Sequence, residues 1–351
     1  MTNTENVLYP APTHRYKVLV VCNTYNHSKY IEETLNGFAI QQTNFPFTCL
    51  VMDDASTDGE QEVLKGWMRR ECDMSKSEVI DISTSEVIIV PHRTNTSCNF
   101  AFYLLKQNLY GNPKKNDHVT PWRDACDYEA ICEGDDYWID PLKLQKQVDF
   151  LDNNPEYGMC YTKAKAINEA GRITIIGSNV SNLNALFRRN TICTLTVCLR
   201  TELMSKYYRD IKPENHNWLM GDYPLWIWIY LNSGIHFCDD ITSVYRVLKT
   251  SASHSILIEK QIAFIESSYD IRHYYIKEYL NEDKKLTKIA DTVRRWSIFR
   301  SLIIAGENSK AFEYLDAYST ELTLKYKLYS MLIKNFRLVR YCVTMYFNYI
   351  A

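Results

Sequence analysis

Apolar residues in the first half of the chain fall in short runs, three of which end in polar clusters. Tyr16 to Cys22 is one such run, followed by Asn23-Thr24-Tyr25-Asn26. Phe47 to Met52 is the second, followed by Asp53-Asp54-Ala55-Ser56-Thr57-Asp58. Glu86 to Val90 is the third, and Tyr128 to Cys132 leads into Glu133-Gly134-Asp135-Asp136. Runs of strand length without polar alternation mark strands buried on both faces, as in parallel sheets. Between them, Ile31, Leu35 and Phe38 keep helical spacing behind Ser28, a candidate cap. Residues 59–70 read as a short helix with Asp58 as its best cap. Phe100 to Leu109 also reads as helix. Pro141 opens a helix that runs to Leu151 and is stopped by Asn153-Asn154-Pro155. Residues 72–86 and 112–127 are polar and read as loop insertions.

Strand alternating with helix up to about residue 155 predicts a parallel sheet covered on both faces. Such sheets bind ligands outside the carboxyl ends of their strands. Three runs end in polar clusters, so a cleft is expected there. The second half differs. Tyr157 to Lys163 and Thr191 to Leu199 read as strands, Gly221-Asp222 precedes the apolar segment Pro224 to Leu231, and Ile235 to Cys238 and Ser243 to Val247 read as short strands. From about residue 256 the pattern turns helical. The expected organisation is an α/β domain over 1–255 and a helical C-terminal extension over 256–351.

The chain has 351 residues, 46% of them hydrophobic, which is enough for a sizeable core. A net charge of -2 gives no nucleic-acid footprint, so no nucleic-acid partner is expected. The 11 cysteines are scattered without a Cys-x-x-Cys pair, which predicts free thiols in a reducing compartment. The N-terminus shows no basic-then-apolar leader, and no apolar run is long enough to span a bilayer. The expected location is cytoplasmic. The 26 tyrosines suit stacking on sugars or bases, although an AT-rich coding bias would produce the same count.

The acids at the strand ends are the candidate chemistry. Asp135 and Asp136 at one strand tip repel each other unless a cation sits between them. Oxygen donors of this kind suit Mg²⁺ or Mn²⁺, with phosphate as the usual companion. The plainer reading is a solvated acidic turn. Asp54 can accept a hydrogen bond from a base edge such as uracil N3–H, with Tyr25 stacking on the base; alternatively it is a loop residue near a helix start. Asp222 can take a proton from an acceptor hydroxyl, or simply cap the helix it precedes. His254, in Ser251-Ala252-Ser253-His254-Ser255, can bind metal or phosphate, or stand in solvent. No Gly-rich phosphate loop, Walker-type lysine or Gly-x-Ser-x-Gly elbow is present, which argues against dehydrogenases, P-loop NTPases and α/β-hydrolases.

Taken together, Val18 to Asn26, Leu50 to Asp58, Ile131 to Pro141, Gly221-Asp222 and Tyr245 to His254 resemble the family 2 glycosyltransferases of the GT-A fold, over about residues 16–255. The resemblance implies a mostly parallel central sheet flanked by helices and an inverting, metal-dependent sugar transfer. The donor would be a nucleotide sugar, UDP-sugar favoured. The acceptor would be a hydroxyl on a polysaccharide or lipid-linked glycan. It implies that Thr24, Tyr25, Asp54 and Asp135 contact the nucleotide, that Asp136 and His254 serve a divalent cation (Mn²⁺ or Mg²⁺), and that Asp222 is the catalytic base. Glu133 stands where the family has Asp, and Asn23 where it has Pro. Thr292 to Trp296 only partly matches the Gln-x-x-Arg-Trp pattern of processive membrane synthases. Two alternatives are a nucleotidyltransferase of related fold, whose Gly-rich basic loop is missing, and a non-catalytic binding protein, against which Asp54, Asp136 and Asp222 argue. Residues 324–351 mix cations with apolar residues and contain no acid. They suit either peripheral membrane contact or a packing or self-association role for the C-terminal helices.

Overall fold

The computed structural model describes residues 9–112, 115–248 and 257–317. Numbered in chain order, the elements begin with β1 (Tyr16–Thr24), α1 (Ile31–Ala39), β2 (Phe47–Asp53), α2 (Glu60–Glu71), β3 (Glu78–Asp81), β4 (Ser85–Pro91) and β5 (Cys98–Leu105). They continue with α3 (Lys115–Arg123), β6 (Cys126–Ile131), β7 (Tyr137–Trp138), α4 (Lys143–Asn153), β8 (Tyr157–Asn168), β9 (Ile173–Ile176) and α5 (Leu183–Arg188). The last are β10 (Cys198–Arg200), α6 (Thr201–Ile211), α7 (Asp222–Asn232), β11 (Gly234–Val247), α8 (Ile258–Tyr279), α9 (Lys284–Ile304) and α10 (Asn308–Ala317). Two compact units result. The first takes residues 1–180, 191–215 and 228–247; the second takes 181–190, 216–227 and 248–351.

An eleven-stranded mixed sheet organises the first unit, in the order β3-β4-β5-β2-β1-β6-β10-β8-β11-β7 with β9 paired to β8. The central four strands, β5-β2-β1-β6, run parallel. Their side chains alternate between two cores. Val18, Val20, Cys22, Cys49, Val51, Phe100 and Phe102 enter one, and Leu19, Val21, Leu50, Met52, Ala101 and Tyr103 the other. Burial on both faces is why these strands read as unbroken apolar runs. None of the described cysteines is joined in a disulfide.

The sequence reading of several elements is corrected. Phe100 to Leu109 is not a helix: residues to Leu105 form β5, buried on both faces. Periodicity alone cannot separate a buried strand from a buried helix, and here the aromatic run Phe100-Ala101-Phe102-Tyr103 sides with the strand. Residues 72–86 are not a plain loop, because β3 pairs with β4 there. Within 112–127, α3 buries His118, Val119, Trp122 and Arg123, and Trp122 Nε1–H donates to Tyr103 Oη at 2.8 Å. Of the expected 191–199 strand only the last two residues pair, as the start of β10, after a 3₁₀ turn at Thr194–Thr196. The two short strands expected at 235–247 are one, β11, which runs parallel to β8 with register shifts. Ser28 caps nothing; α1 starts at Ile31, and the Ser28 N–H donates to Asp58 Oδ2 at 3.0 Å.

Away from the strand ends, Arg123, Glu129 and Lys143 are also buried in this unit. Arg123 Nε meets Glu129 Oε2 at 2.6 Å with both side chains under 5% exposed. Lys143 is fully buried; its Nζ donates to Gln147 Oε1 at 2.8 Å and lies 4.2 Å from the Trp138 ring centroid.

The second unit is helical. Ile298, Phe299, Leu302, Ile303, Ala311 and Leu315 form its core with Ile258, Ile262 and Ile265. The Asp283 carboxylate caps α9 by accepting the Lys285 and Leu286 N–H groups. Arg294 makes a two-pronged ion pair with Glu266 at 2.6 and 2.8 Å. Among the described residues, no helix is long and apolar enough to cross a membrane. The basic, apolar stretch 324–351 lies outside the described residues.

Candidate active site

β1 and β2 are parallel neighbours in a register that places Thr24 beside Asp53, so both polar clusters emerge at one edge. The Asp54 N–H donates to the Thr24 carbonyl at 2.9 Å. Asp54 itself is buried. Its Oδ1 accepts the Leu109 N–H at 2.6 Å and its Oδ2 accepts from Lys115 Nζ at 3.0 Å. Each carboxylate oxygen keeps capacity for a second donor. Asp53, by contrast, serves the turn, accepting from the Ser56 N–H at 3.1 Å and Gln61 Nε2 at 2.6 Å.

The two loops are tied to each other. The Thr24 hydroxyl donates to Glu60 Oε1 and lies 3.1 Å from His27 Nδ1. Glu60 Oε2 accepts the His27 N–H at 2.8 Å and the Ser56 hydroxyl at 2.9 Å. Burial pushes the Glu60 carboxyl above the usual carboxylate range, against the pull of these donors. Asn26 Oδ1 accepts the Thr57 N–H at 2.8 Å, and Asn26 N–H donates to Ser56 Oγ at 2.8 Å. Asn26 and Ala55 both hold φ of 59°, in the left-handed region that asparagine visits readily and alanine adopts only under constraint. Tyr25, between these anchors, is 43% exposed.

The acidic turn after β6 joins the same edge. The Cys132 N–H donates to Val21 O and the Gly134 N–H to Asn23 O, both at 3.0 Å. From α1, the Thr34 hydroxyl reaches the carbonyls of Gly134 (2.9 Å) and Asp136 (2.6 Å). Asp135 Oδ2 stands 3.9 Å from His27 Nε2. Asp136 is buried, with Oδ1 accepting the Arg246 N–H at 2.8 Å. Its carboxyl is pushed well above the usual range, first by burial and then by the charge of Asp135, while the Arg246 N–H opposes the shift.

The residues fit a divalent cation. Asp135 and Asp136 are hard oxygen donors, and a cation beside them would relieve the repulsion that raises Asp136. Among the described residues no group of three or more His, Cys, Asp or Glu forms a site of its own. Water and phosphate oxygens would complete the shell, the usual arrangement for Mg²⁺.

Thr24, Tyr25, Asp54, Asp135 and Asp136 thus gather at one edge of the first unit. Asp222 belongs to the second unit, where it is the first residue of α7. Asn190 Nδ2 donates to its Oδ2 at 3.4 Å, and burial raises its carboxyl above the usual range. His254 lies outside the described residues.

Sequence reasoning missed Glu60, Lys115, His27 and Arg246, each of which contacts a site residue. Glu60 and His27 flank stretches already singled out. Arg246 stands second in the Tyr245 to His254 stretch, so its position was available as a signal. Lys115 had none, since it lies in a polar segment.

The mixed sheet, with acids at the carboxyl ends of its parallel core, has the GT-A arrangement. Residues 19–90 match the model of Glycosyl transferase family 2. A mannosyltransferase from Pyrobaculum calidifontis, solved with GDP-Man and Mn²⁺, shares the fold with a TM-score of 0.54 and 15% identity, over 97% of this chain and 87% of that one. S. aureus TarS in complex with UDP aligns with a TM-score of 0.47 and 20% identity, over 89% of this chain and 77% of that one. Uncharacterized proteins of Mycobacterium tuberculosis and Mycobacterium bovis are 32% identical over 188 residues. That stretch is 52% of this chain and 46% of theirs, so the match spans about half the length of those relatives.

Proposed function

We propose that this protein transfers a sugar, with inversion, from a nucleotide-sugar donor to a hydroxyl of a polysaccharide or lipid-linked glycan. The observation that carries the reading is the convergence of Thr24, Asp54, Asp135 and Asp136 on the carboxyl ends of adjacent parallel strands. In this reading Asp54 accepts from the base edge, Tyr25 stacks on the base, and Asp135 orients the ribose. Asp135 and Asp136, with His254, would hold Mn²⁺ or Mg²⁺. Such a cation neutralises the charge that builds on a departing nucleoside diphosphate. Asp222 takes the proton of the attacking hydroxyl; the burial that raises its carboxyl makes it a stronger base.

The test is a donor screen that measures released nucleoside diphosphate with and without Mn²⁺ or Mg²⁺. UDP-sugars come first and GDP-mannose is included, since a protein of the same fold binds it. Asp136→Asn is expected to abolish release while keeping the unfolding transition. Normal turnover of that variant in a chelating buffer would overturn the metal role.

A further inference from the structure

We infer that Arg246 is the positioning residue that presets the Asp135–Asp136 turn for its cation, an inference that rests on the cation reading above. β11 pairs with β7 through Val244 and Tyr137, so the next residues of β11 pass alongside the acidic turn. Arg246 grips that turn at two points. Its N–H donates to Asp136 Oδ1 at 2.8 Å, and its Nη1 donates to the Asp135 carbonyl at 2.5 Å. The guanidinium takes the peptide oxygen of Asp135 and not its carboxylate. It therefore fixes the turn without competing for the donor that a cation needs.

The guanidinium is itself held on three sides. Nη2 forms an ion pair with Glu33 on α1. The Tyr30 and Tyr137 rings lie 4.9 and 4.4 Å from its central carbon. The Arg246 side chain is only 13% exposed. Arginine suits this place because its planar fork reaches two acceptors at once and stacks on aromatic faces, whereas lysine offers a point charge. Residues behind metal ligands typically govern metal affinity by about 10–100-fold.

The test is a Mn²⁺ titration followed by the electron paramagnetic resonance signal of the free ion, with and without UDP. It compares the full-length chain with Arg246→Lys, Arg246→Met, Glu33→Leu and Asp136→Asn, and thermal unfolding is recorded for each. Arg246→Lys keeps the backbone N–H and a charge; it is expected to melt close to the native chain yet bind Mn²⁺ about tenfold more weakly. Arg246→Met is expected to be weaker still, and Glu33→Leu, on an exposed tether, to show a smaller loss of the same sign. UDP binding in chelator is expected to stay unchanged for all three. If Asp136→Asn loses Mn²⁺ while both Arg246 variants and Glu33→Leu bind within twofold of the native chain, the inference is wrong and the cation reading stands. If the native chain binds no Mn²⁺, with or without UDP, both fall together.

Discussion

A side chain on Gly134 would overlap the hydroxyl of Thr24, and would stand 3.1 Å from His27 Nδ1. The acidic turn after β6 and the carboxyl end of β1 are packed so closely that only hydrogen fits between them. The glycine is required here for space. Gly134→Ala must therefore push the acidic turn away from β1. The expected loss is about 1–3 kcal/mol in denaturant unfolding, as for overpacking elsewhere, together with weaker UDP binding. Unchanged unfolding and unchanged UDP affinity would show that Thr24 yields freely.

Asp222→Asn keeps the shape and the capping capacity of α7 but cannot accept a proton. Transfer is expected to slow by about 10²–10⁴-fold with donor affinity retained, measured by steady-state turnover beside UDP titration. Near-native turnover would reduce Asp222 to a helix cap.

The Arg123–Glu129 pair is sealed inside the first unit. Arg123→Met leaves Glu129 buried without its cation, and is expected to cost about 3–5 kcal/mol in urea unfolding. Adding Glu129→Leu is expected to restore much of that stability, because an apolar pair carries no desolvation cost. A double variant as weak as the single one would contradict this account.

Lys143 gives a pH dependence of known sign. Burial pulls its ammonium down from 10.5 to about 8. Below pH 8 both folded and unfolded chains hold the proton, and the cost of burying the charge is fully present. Between about 8 and 10.5 the unfolded chain binds more protons, so stability from this residue rises with pH across that window. In Lys143→Met the dependence is absent. The native chain is expected to gain on the variant by about 3 kcal/mol between pH 8 and 10.5, read from urea unfolding at each pH. Burial pushes the Cys132, Cys160 and Cys198 thiols up, so in this window thiols titrate in the unfolded chains, alike in both proteins. A flat difference across the window would mean that the ammonium is not desolvated.

β1, β2, β4 and β6 in the first half of the chain, and the acids that follow β2 and β6, were legible from residues alone. Val18 to Cys22 and Leu50 to Met52 are apolar at every position because both faces of β1 and β2 are buried, and that pattern survives in one dimension. Asp54, Asp135 and Asp136 were legible as the polar ends of those runs, since each lies within a few residues of the end of a buried strand. Tertiary structure decided what no local pattern encodes. Phe100 to Leu105 became a strand because β2 and β4 stand on either side of it. Lys115 reached Asp54, and Arg246 reached Asp135, Asp136 and Glu33, across separations of 61 to 213 residues. Periodicity reports only which face of its own element a residue occupies. Which distant partner waits on that face is set by how the elements pack, and the pairings that hold the acidic edge together are of that kind.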